Sequence, residues 1–267
     1  MASNPGVCKP YTIFSVSSIE AKEYDEYLVP ALFEPWARDL IRRAQVWKGD
    51  RVVDLACGTG IVACRIAGTG AQVVGIDASA DQLAQAKVRA REENVPVTWL
   101  QRDFSATTLK SAAFDLVTCQ QGFQFAIDRA AVVKETRRLL ASGGRAVFAC
   151  WAALAGQDGF REVEAVSARH YGPADGVASS MTEPELKALL AKHFIAVQVE
   201  TATRIVRFPD PERFARSLLA TKAAARGATP NDEAVAEALT ALAPFLVGDQ
   251  LQLQSAAIVA IGRVTAK

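Results

Sequence analysis

The stretch VVDLACGTGIVA, residues 52–63, constrains the chain more than any other. A β-branched apolar run leads straight into Gly58 and Gly60, and a helix-forming run follows. Strand, glycine turn and helix are therefore packed end to end. The glycines let the backbone approach a ligand closely. The start of the following helix offers free N–H groups and the positive end of a dipole. Downstream the pattern alternates. Strands are expected at QVVGID (72–77), VTWLQRD (97–103), FDLVTCQ (114–120) and RAVFACW (145–151). Helices are expected from Gly60, over 79–94 with Ser79 as N-cap, and over 128–141 from Asp128 until Gly143 and Gly144 stop it. Such alternation predicts an α/β fold whose mostly parallel sheet carries helices on both faces.

The flanks read differently. Residues 1–17 have the look of a loose arm. Residues 24–44 read as helical, interrupted near Pro30 and Pro35, with Trp36, Leu40, Ile41 and Ala44 on one face. After Trp151 a helix is expected over 157–170, then a loop to Ser180. A capping box of Thr182 and Glu185 should open a helix to about Lys192. A strand over 195–208, helices near 210–224 and 231–246, and a last strand over 251–264 complete the chain. Helices between the final two strands should form a cap over the ligand edge of the sheet. The expected organisation is a single domain over 1–267. It comprises an N-terminal arm and helices (1–50), a ligand-binding core (51–151), and cap helices with C-terminal strands (152–267).

With 267 residues, half of them hydrophobic, the chain can bury a full core. The net charge of +1 argues against nucleic acid or an anionic membrane as partner. Cys8, Cys57, Cys64, Cys119 and Cys150 are odd in number and form no C-x-x-C pair, which suits a reducing cytoplasm. Two histidines argue against a Cys/His zinc site, so no metal is expected. The N-terminus lacks an apolar signal region, and no apolar run reaches the roughly 18 residues of a membrane span.

Two ligand classes compete for the glycine turn. Gly58, Gly60 and Ala63 fit G-x-G-x-x-A, and Asp77 at the end of the next strand fits the acidic partner of a nicotinamide dehydrogenase. Asp54 discriminates between them. A dinucleotide would lay its pyrophosphate here, and a carboxylate at about 5 Å in an effective dielectric near 20 would repel it by roughly 3 kcal/mol. S-adenosyl-L-methionine carries an ammonium and a sulfonium, which the same carboxylate attracts. Asp103 could accept from an adenine amino group with Phe104 packed on the ring, or it could simply cap a turn. Gln82 could reach the adenosine or complete a capping box with Ser79.

DLACGTG, the strand-end Asp77, the Asp103–Phe104 pair, FDLVTCQQGFQF (114–125) and LLASGGRAVF (139–148) follow one another in order. Together they resemble the class I methyltransferases, in the group that includes ubiquinone/menaquinone-biosynthesis and natural-product enzymes. The resemblance is close over residues 24–151 and loose beyond. It implies a Rossmann-like seven-stranded sheet with an antiparallel last strand, and S-adenosyl-L-methionine as cofactor. It also implies roles. The backbone around Ala56, Gly58 and Gly60 would hold the methionine part, Asp77 the ribose, and Asp103 with Phe104 the adenine. Cys119 and Gln120 would line the methyl-transfer opening. Asp54, Cys57, Thr59, Ala78 and Gln82 complete the expected cofactor set. Two residues depart from the family pattern: Ala56 stands where glycine is frequent, and Ser142 where proline is.

The acceptor side offers no clear base. His170, beside Tyr171 near a helix end, is the one candidate, with surface packing as its alternative. His193 at the next helix end reads as a dipole partner. Tyr24, Tyr27, Phe33 and Trp36 could shape a lid or merely dock the N-terminal helix. Phe123, Gln124, Phe125 and Trp151 follow strand ends and are candidate pocket walls. The fourth strand ends in CQQG. It carries neither the Asn/Asp-Pro-Pro-aromatic motif nor the Pro-Cys pair of nucleic-acid methylases. The expected acceptor is a small aromatic or heteroaromatic metabolite, with oxygen, nitrogen and carbon all open as the nucleophile. The expected protein is a cytoplasmic monomer or homodimer. A nicotinamide oxidoreductase and a non-catalytic cofactor-binding scaffold are the alternatives.

Overall fold

The computed structural model describes residues 18–172, 181–224 and 228–266. The expectations for residues 1–17 (Cys8 among them) and for the loop over 173–180 lie outside the described residues. Among the described residues eight strands form one sheet: β1 (Arg51–Leu55), β2 (Gln72–Asp77), β3 (Val97–Gln101), β4 (Phe114–Gln120), β5 (Leu140–Trp151), β6 (Ile195–Phe208), β7 (Leu246–Val247) and β8 (Gln250–Arg263). The order is β3-β2-β1-β4-β5-β8-β6, with the two-residue β7 paired to β8 off this path. The first five strands run parallel, and β8 is antiparallel to both β5 and β6. This is the Rossmann-like order with an antiparallel last strand, plus the short β7.

Neighbouring residues on each strand face opposite cores, as the period of two demands. Val52, Leu116, Val147 and Val259 join one core, under α2 (Glu34–Ala44) and α3 (Ile61–Ala67). Val53, Val117, Phe148 and Ile258 join the other, under α5 (Arg129–Leu139) and α7 (Glu183–Leu190). Burial on both faces explains why these strands read as unbroken apolar runs. α4 (Ala80–Glu92) follows β2, and Ser79 caps it by accepting from Gln82 N–H.

Three local expectations change. The N-terminal helix is not interrupted: α1 (Ser18–Glu23), a wide-turn stretch Tyr24–Phe33 and α2 run on without a break. Pro30 sits inside the wide turns, where Glu34 N–H bonds Val29 O five residues back. The looser i→i+5 spacing accommodates a residue that cannot donate. Pro35 lies just past the wide turns, in the first turn of α2. The helix expected over 128–141 ends at Leu139, and Gly143 and Gly144 lie within β5. There the pairing with β4 shifts register, and Gly143 takes φ 74°. Finally, α9 (Asp232–Leu242) ends before Pro244, and a single 3-10 turn leads into β7.

α6 (Asp158–Tyr171), α8 (Pro211–Ala224) and α9 pack on one another, and α8 also touches the Tyr24–Phe33 stretch. Their position follows from strand length. β5 ends with Trp151 opposite Ala257, whereas β6 and β8 continue to Phe208 opposite Leu251. The long antiparallel pair therefore overruns the carboxyl ends of the parallel strands and carries α8 and α9 there as a cap. No helix among the described residues is long and apolar enough to cross a membrane.

Candidate active site

The strand order reverses between β1 and β4, and a crevice at such a switch point is where open α/β sheets bind ligands. Asp54 and Thr118 are register partners across this boundary. Thr118 Oγ1 donates to Asp54 Oδ1 at 2.7 Å. The other carboxylate oxygen, Oδ2, is buried without a partner. Burial lifts the Asp54 pKa to about 7, with the Thr118 hydrogen bond and the nearby Ala63 backbone N–H pulling the other way. Above the carboxyl lies a cavity of about 40 Å³. Its floor includes Asp54, Ala56, Cys57, Gly58 and Thr59; Gln120 closes it from β4, and Tyr24, Val29 and Phe33 form its roof.

The glycines divide their labour. A Cβ on Gly58 would meet only Gln82 Oε1, at 3.7 Å, so that position is open toward the site. A Cβ on Gly60 would lie 2.6 Å from the Trp99 ring and 3.0 Å from Ala86. Gly60 therefore serves the packing of the turn on α4 and β3, and its φ of 85° reinforces the need for glycine. Ala56 holds φ 52°, a left-handed conformation that glycine adopts more easily.

Asp77 is half-buried and already accepts from two backbone donors: Gly58 N–H at 2.8 Å and Ser79 N–H at 2.9 Å. Burial raises its pKa, opposed by these bonds. It thereby shapes the glycine turn while keeping lone pairs for further donors. Gln82 makes no capping box, because Ser79 N–H is bonded to Asp77. Its Oε1 is buried and unpartnered beside Gly58. Asp103 is exposed and accepts from Ser105 N–H and Oγ, capping a turn through one oxygen. Phe104 packs partly into the core, and Ala78 is exposed.

At the end of β4 the side chains separate. Cys119 is fully buried in the core beneath the site, as is Phe123, whose ring packs tilted against Phe148 with centroids 5.0 Å apart. Gln120 points the other way: its Nε2 donates to Phe33 O at 3.0 Å, and its Oε1 is buried without a partner. Gln124 Oε1 accepts from Trp151 N–H and ties the turn to β5. Trp151 meets Phe33 and Trp36 edge-on.

The N-terminal aromatics also divide. Tyr24 and Phe33 line the cavity, and burial pushes the Tyr24 phenol well above its ordinary pKa. Tyr27 and Trp36 dock the helix: Tyr27 OH donates to Asp210 O, and Trp36 Nε1 donates to Ser255 Oγ at 3.1 Å. His170 is not brought to the cavity. Its Nε2 lies 2.7 Å from Glu237 Oε2, joining α6 to α9. Tyr171 OH accepts from Asn231 N–H at the start of α9. Both residues assemble the cap.

Thr118, Val29 and Arg89 belong to the site without any sequence signal that marks them. Arg89 donates to Thr59 O in the glycine turn and to Asp25 in the N-terminal helix. A basic residue on an amphipathic helix carries no local signal of such a role. Gln121 carries no such signal either. It is 4 % exposed, holds φ 47°, and has both amide atoms buried and unpartnered.

The partnerless atoms state what this site could hold. Asp54 Oδ2, Gln82 Oε1 and Gln120 Oε1 are acceptors, the partnerless Thr59 hydroxyl can accept or donate, and among the described residues the only charged one lining the cavity is an acid. A donor-rich cationic ligand satisfies them; a pyrophosphate does not. The amino-acid nucleoside expected from the sequence fits this donor demand.

Comparison with known proteins agrees with the fold. Residues 53–148 match the family described as Methyltransferase domain. The ubiquinone biosynthesis O-methyltransferase of Pectobacterium atrosepticum is 34 % identical over 108 residues, covering 40 % of this chain and 45 % of the relative. The match thus spans less than half of that relative's length. Among solved structures, the YcgJ protein from Bacillus subtilis aligns with a TM-score of 0.61 at 18 % identity, covering 86 % of this chain and 98 % of that one. Phosphoethanolamine N-methyltransferase 2 of Haemonchus contortus, solved with S-adenosyl-L-methionine, aligns at 0.61 and 19 % identity, over 94 % and 58 %. Residues 53–148 thus carry a methyltransferase domain, and the chain shares the fold of these solved structures. The matched segment is similar to the ubiquinone-biosynthesis O-methyltransferases.

Proposed function

We propose that this protein transfers a methyl group from S-adenosyl-L-methionine to an oxygen, nitrogen or carbon nucleophile of a small aromatic or heteroaromatic metabolite. The observation that carries the reading is the buried, half-satisfied Asp54 carboxylate, set among acceptor atoms at the switch point of a methyltransferase fold. The cofactor supplies an electrophilic methyl on a sulfonium with a good leaving group. Asp54, Gln120 and the backbone from Ala56 to Gly60 would hold its amino-acid end. Asp77 and Gln82 would hold the ribose side, and the free oxygen of Asp103 with Phe104 the adenine.

The chain's own contribution is placement. Tyr24 stays protonated because burial raises its pKa, so its hydroxyl can donate a hydrogen bond and would not act as a base. His170 is held by Glu237 in the cap. No side chain lining the cavity is a base poised near neutrality apart from Asp54, which the cofactor's charge would keep ionised. Holding the nucleophile in line with the methyl then carries the rate. The near-zero net charge supports a small metabolite over nucleic acid as acceptor. Buried free thiols at Cys57, Cys64, Cys119 and Cys150 suit a reducing, cytoplasmic setting.

Calorimetry with S-adenosyl-L-methionine, its demethylated product and NAD(P)H tests the cofactor. The first two should bind and the third should not; the reverse pattern overturns the reading. A labelled-methyl assay against metabolite extract, followed by mass spectrometry of the product, then identifies the acceptor. Absence of any transfer by a protein that binds the cofactor would favour a scaffold.

A further inference from the structure

The roof and floor of the cavity stand too close for the ligand proposed above. About 40 Å³ holds a water or two, whereas sites for nucleoside-sized ligands run to several hundred. The roof is one continuous piece of chain: Tyr24, Val29 and Phe33 all belong to the wide-turn stretch of the N-terminal helix. For the cofactor to enter, that stretch must lift.

What holds it down is specific. Arg89 on α4 donates to Asp25 Oδ1 at 2.6 Å, and its Nε donates to Thr59 O in the glycine turn at 3.1 Å. The guanidinium is 13 % exposed and the carboxylate 19 %, so water screens the pair only partly. Arg89 is therefore fastened to the floor and grips the roof. On the other side, Gln120 Nε2 holds Phe33 O, Tyr27 OH donates to Asp210 O, Arg213 of the cap pairs with Glu23, and Leu28, Val29 and Leu32 are buried in the core. Beyond Phe33 the chain is fixed: Trp36 is bonded to Ser255, and Asp39 accepts from Arg42, Arg43 and Arg204. Movement is thus confined to the part before Glu34. The wide turns around Pro30 lack one backbone donor and offer the weakest helical bonding there.

We propose that Asp25 and Arg89 form a latch that closes the Tyr24–Phe33 stretch over the glycine turn, and that its release admits and discharges the nucleoside cofactor. The proposal rests on the methyl-transfer reading for the identity of the ligand. Asp25 and Arg89 are positioning residues: neither lines the cavity, and each acts through the segment or the turn that it holds.

The test is stopped-flow binding of S-adenosylhomocysteine, followed by tryptophan fluorescence, since Trp151 abuts Phe33. Asp25→Asn removes the charge at nearly equal volume and leaves Arg89 on Thr59. Association and dissociation rates should both rise about tenfold, the worth of one charged hydrogen bond, with affinity changing far less. Asp25→Glu should restore slow exchange, a rescue that mere loss of stability would not show. Hydrogen exchange on the unaltered protein gives a second reading. Amides of 24–33 should open far more readily than those of α3 and should be protected by the ligand. Unchanged rates in Asp25→Asn, or equal protection of 24–33 with and without bound ligand, would overturn the latch. Failure of the unaltered protein to bind S-adenosylhomocysteine at all would instead overturn the methyl-transfer reading.

Discussion

Taking the Asp54 carboxyl out of water lifts its pKa to about 7, against about 3.9 in an unfolded chain. A value raised by folding means that stability is greatest below the unfolded pKa and falls as pH climbs through about 7. The loss reaches at most about 4 kcal/mol. Asp54→Asn should therefore be more stable than the parent by roughly 1–3 kcal/mol at pH 8, with the gap closing toward pH 4. Urea denaturation across that range measures it, and a gap that does not narrow would contradict the burial of a charge. The same variant should lose cofactor affinity. In the parent, affinity should weaken about tenfold per pH unit below 7, because a cation binds the ionised carboxylate. A second residue-scale prediction concerns Ala56. A Cβ on Gly122 would lie 2.4 Å from the Ala56 Cβ, so one methyl group occupies space that two positions share. Gly122→Ala should cost about 1–3 kcal/mol through overpacking. Ala56→Gly should relieve the left-handed strain and recover most of that cost in the double variant. Additive effects in the four-protein cycle would show that the two sites do not share the space.

At the scale of elements, α2 is joined to the far edge of the sheet by one buried acid. Asp39 is 2 % exposed and accepts from Arg42, Arg43 and, across to β6, Arg204. Burial pushes its pKa up, but the Arg42 and Arg43 hydrogen bonds and the charges of Arg43 and Arg204 outweigh it and leave the carboxyl below its ordinary value. A depressed value contributes stability above the unfolded pKa and loses it as pH falls through the folded one, so this bond set weakens in acid. Asp39→Ala should destabilise by about 1–3 kcal/mol at neutral pH, since the partly buried Arg43 and Arg204 lose a shared partner. The deficit should shrink below pH 4. Thermal unfolding of both proteins across pH decides this, and a constant deficit would mean that α2 is held by packing alone.

For the whole molecule, the cap is the part built from unrelated stretches of chain. His170 and Arg169 of α6 both meet Glu237 of α9, and Tyr171 holds the N-terminus of the same helix. His170→Ala should lower the melting temperature slightly. It should leave turnover far short of the roughly hundredfold loss that removal of a general base brings. A larger kinetic loss, with a pH limb near 6.5 that vanishes in the variant, would return the histidine to the chemistry. The core was legible because its signals are local. A parallel strand buried on both faces reads as an apolar run, and a turn that needs positive φ reads as glycine, so β1 to β5, Asp54 and Asp77 could be placed from residues alone. Pairing across the chain carries no such signal. Which of Cys119 and Gln120 faces the site, which of Tyr24 and Tyr27 forms its roof, and that Arg89 grips Asp25 across 64 residues all depend on strand register and helix docking. Periodicity separates the two faces of an element, but only the fold decides what stands opposite each face.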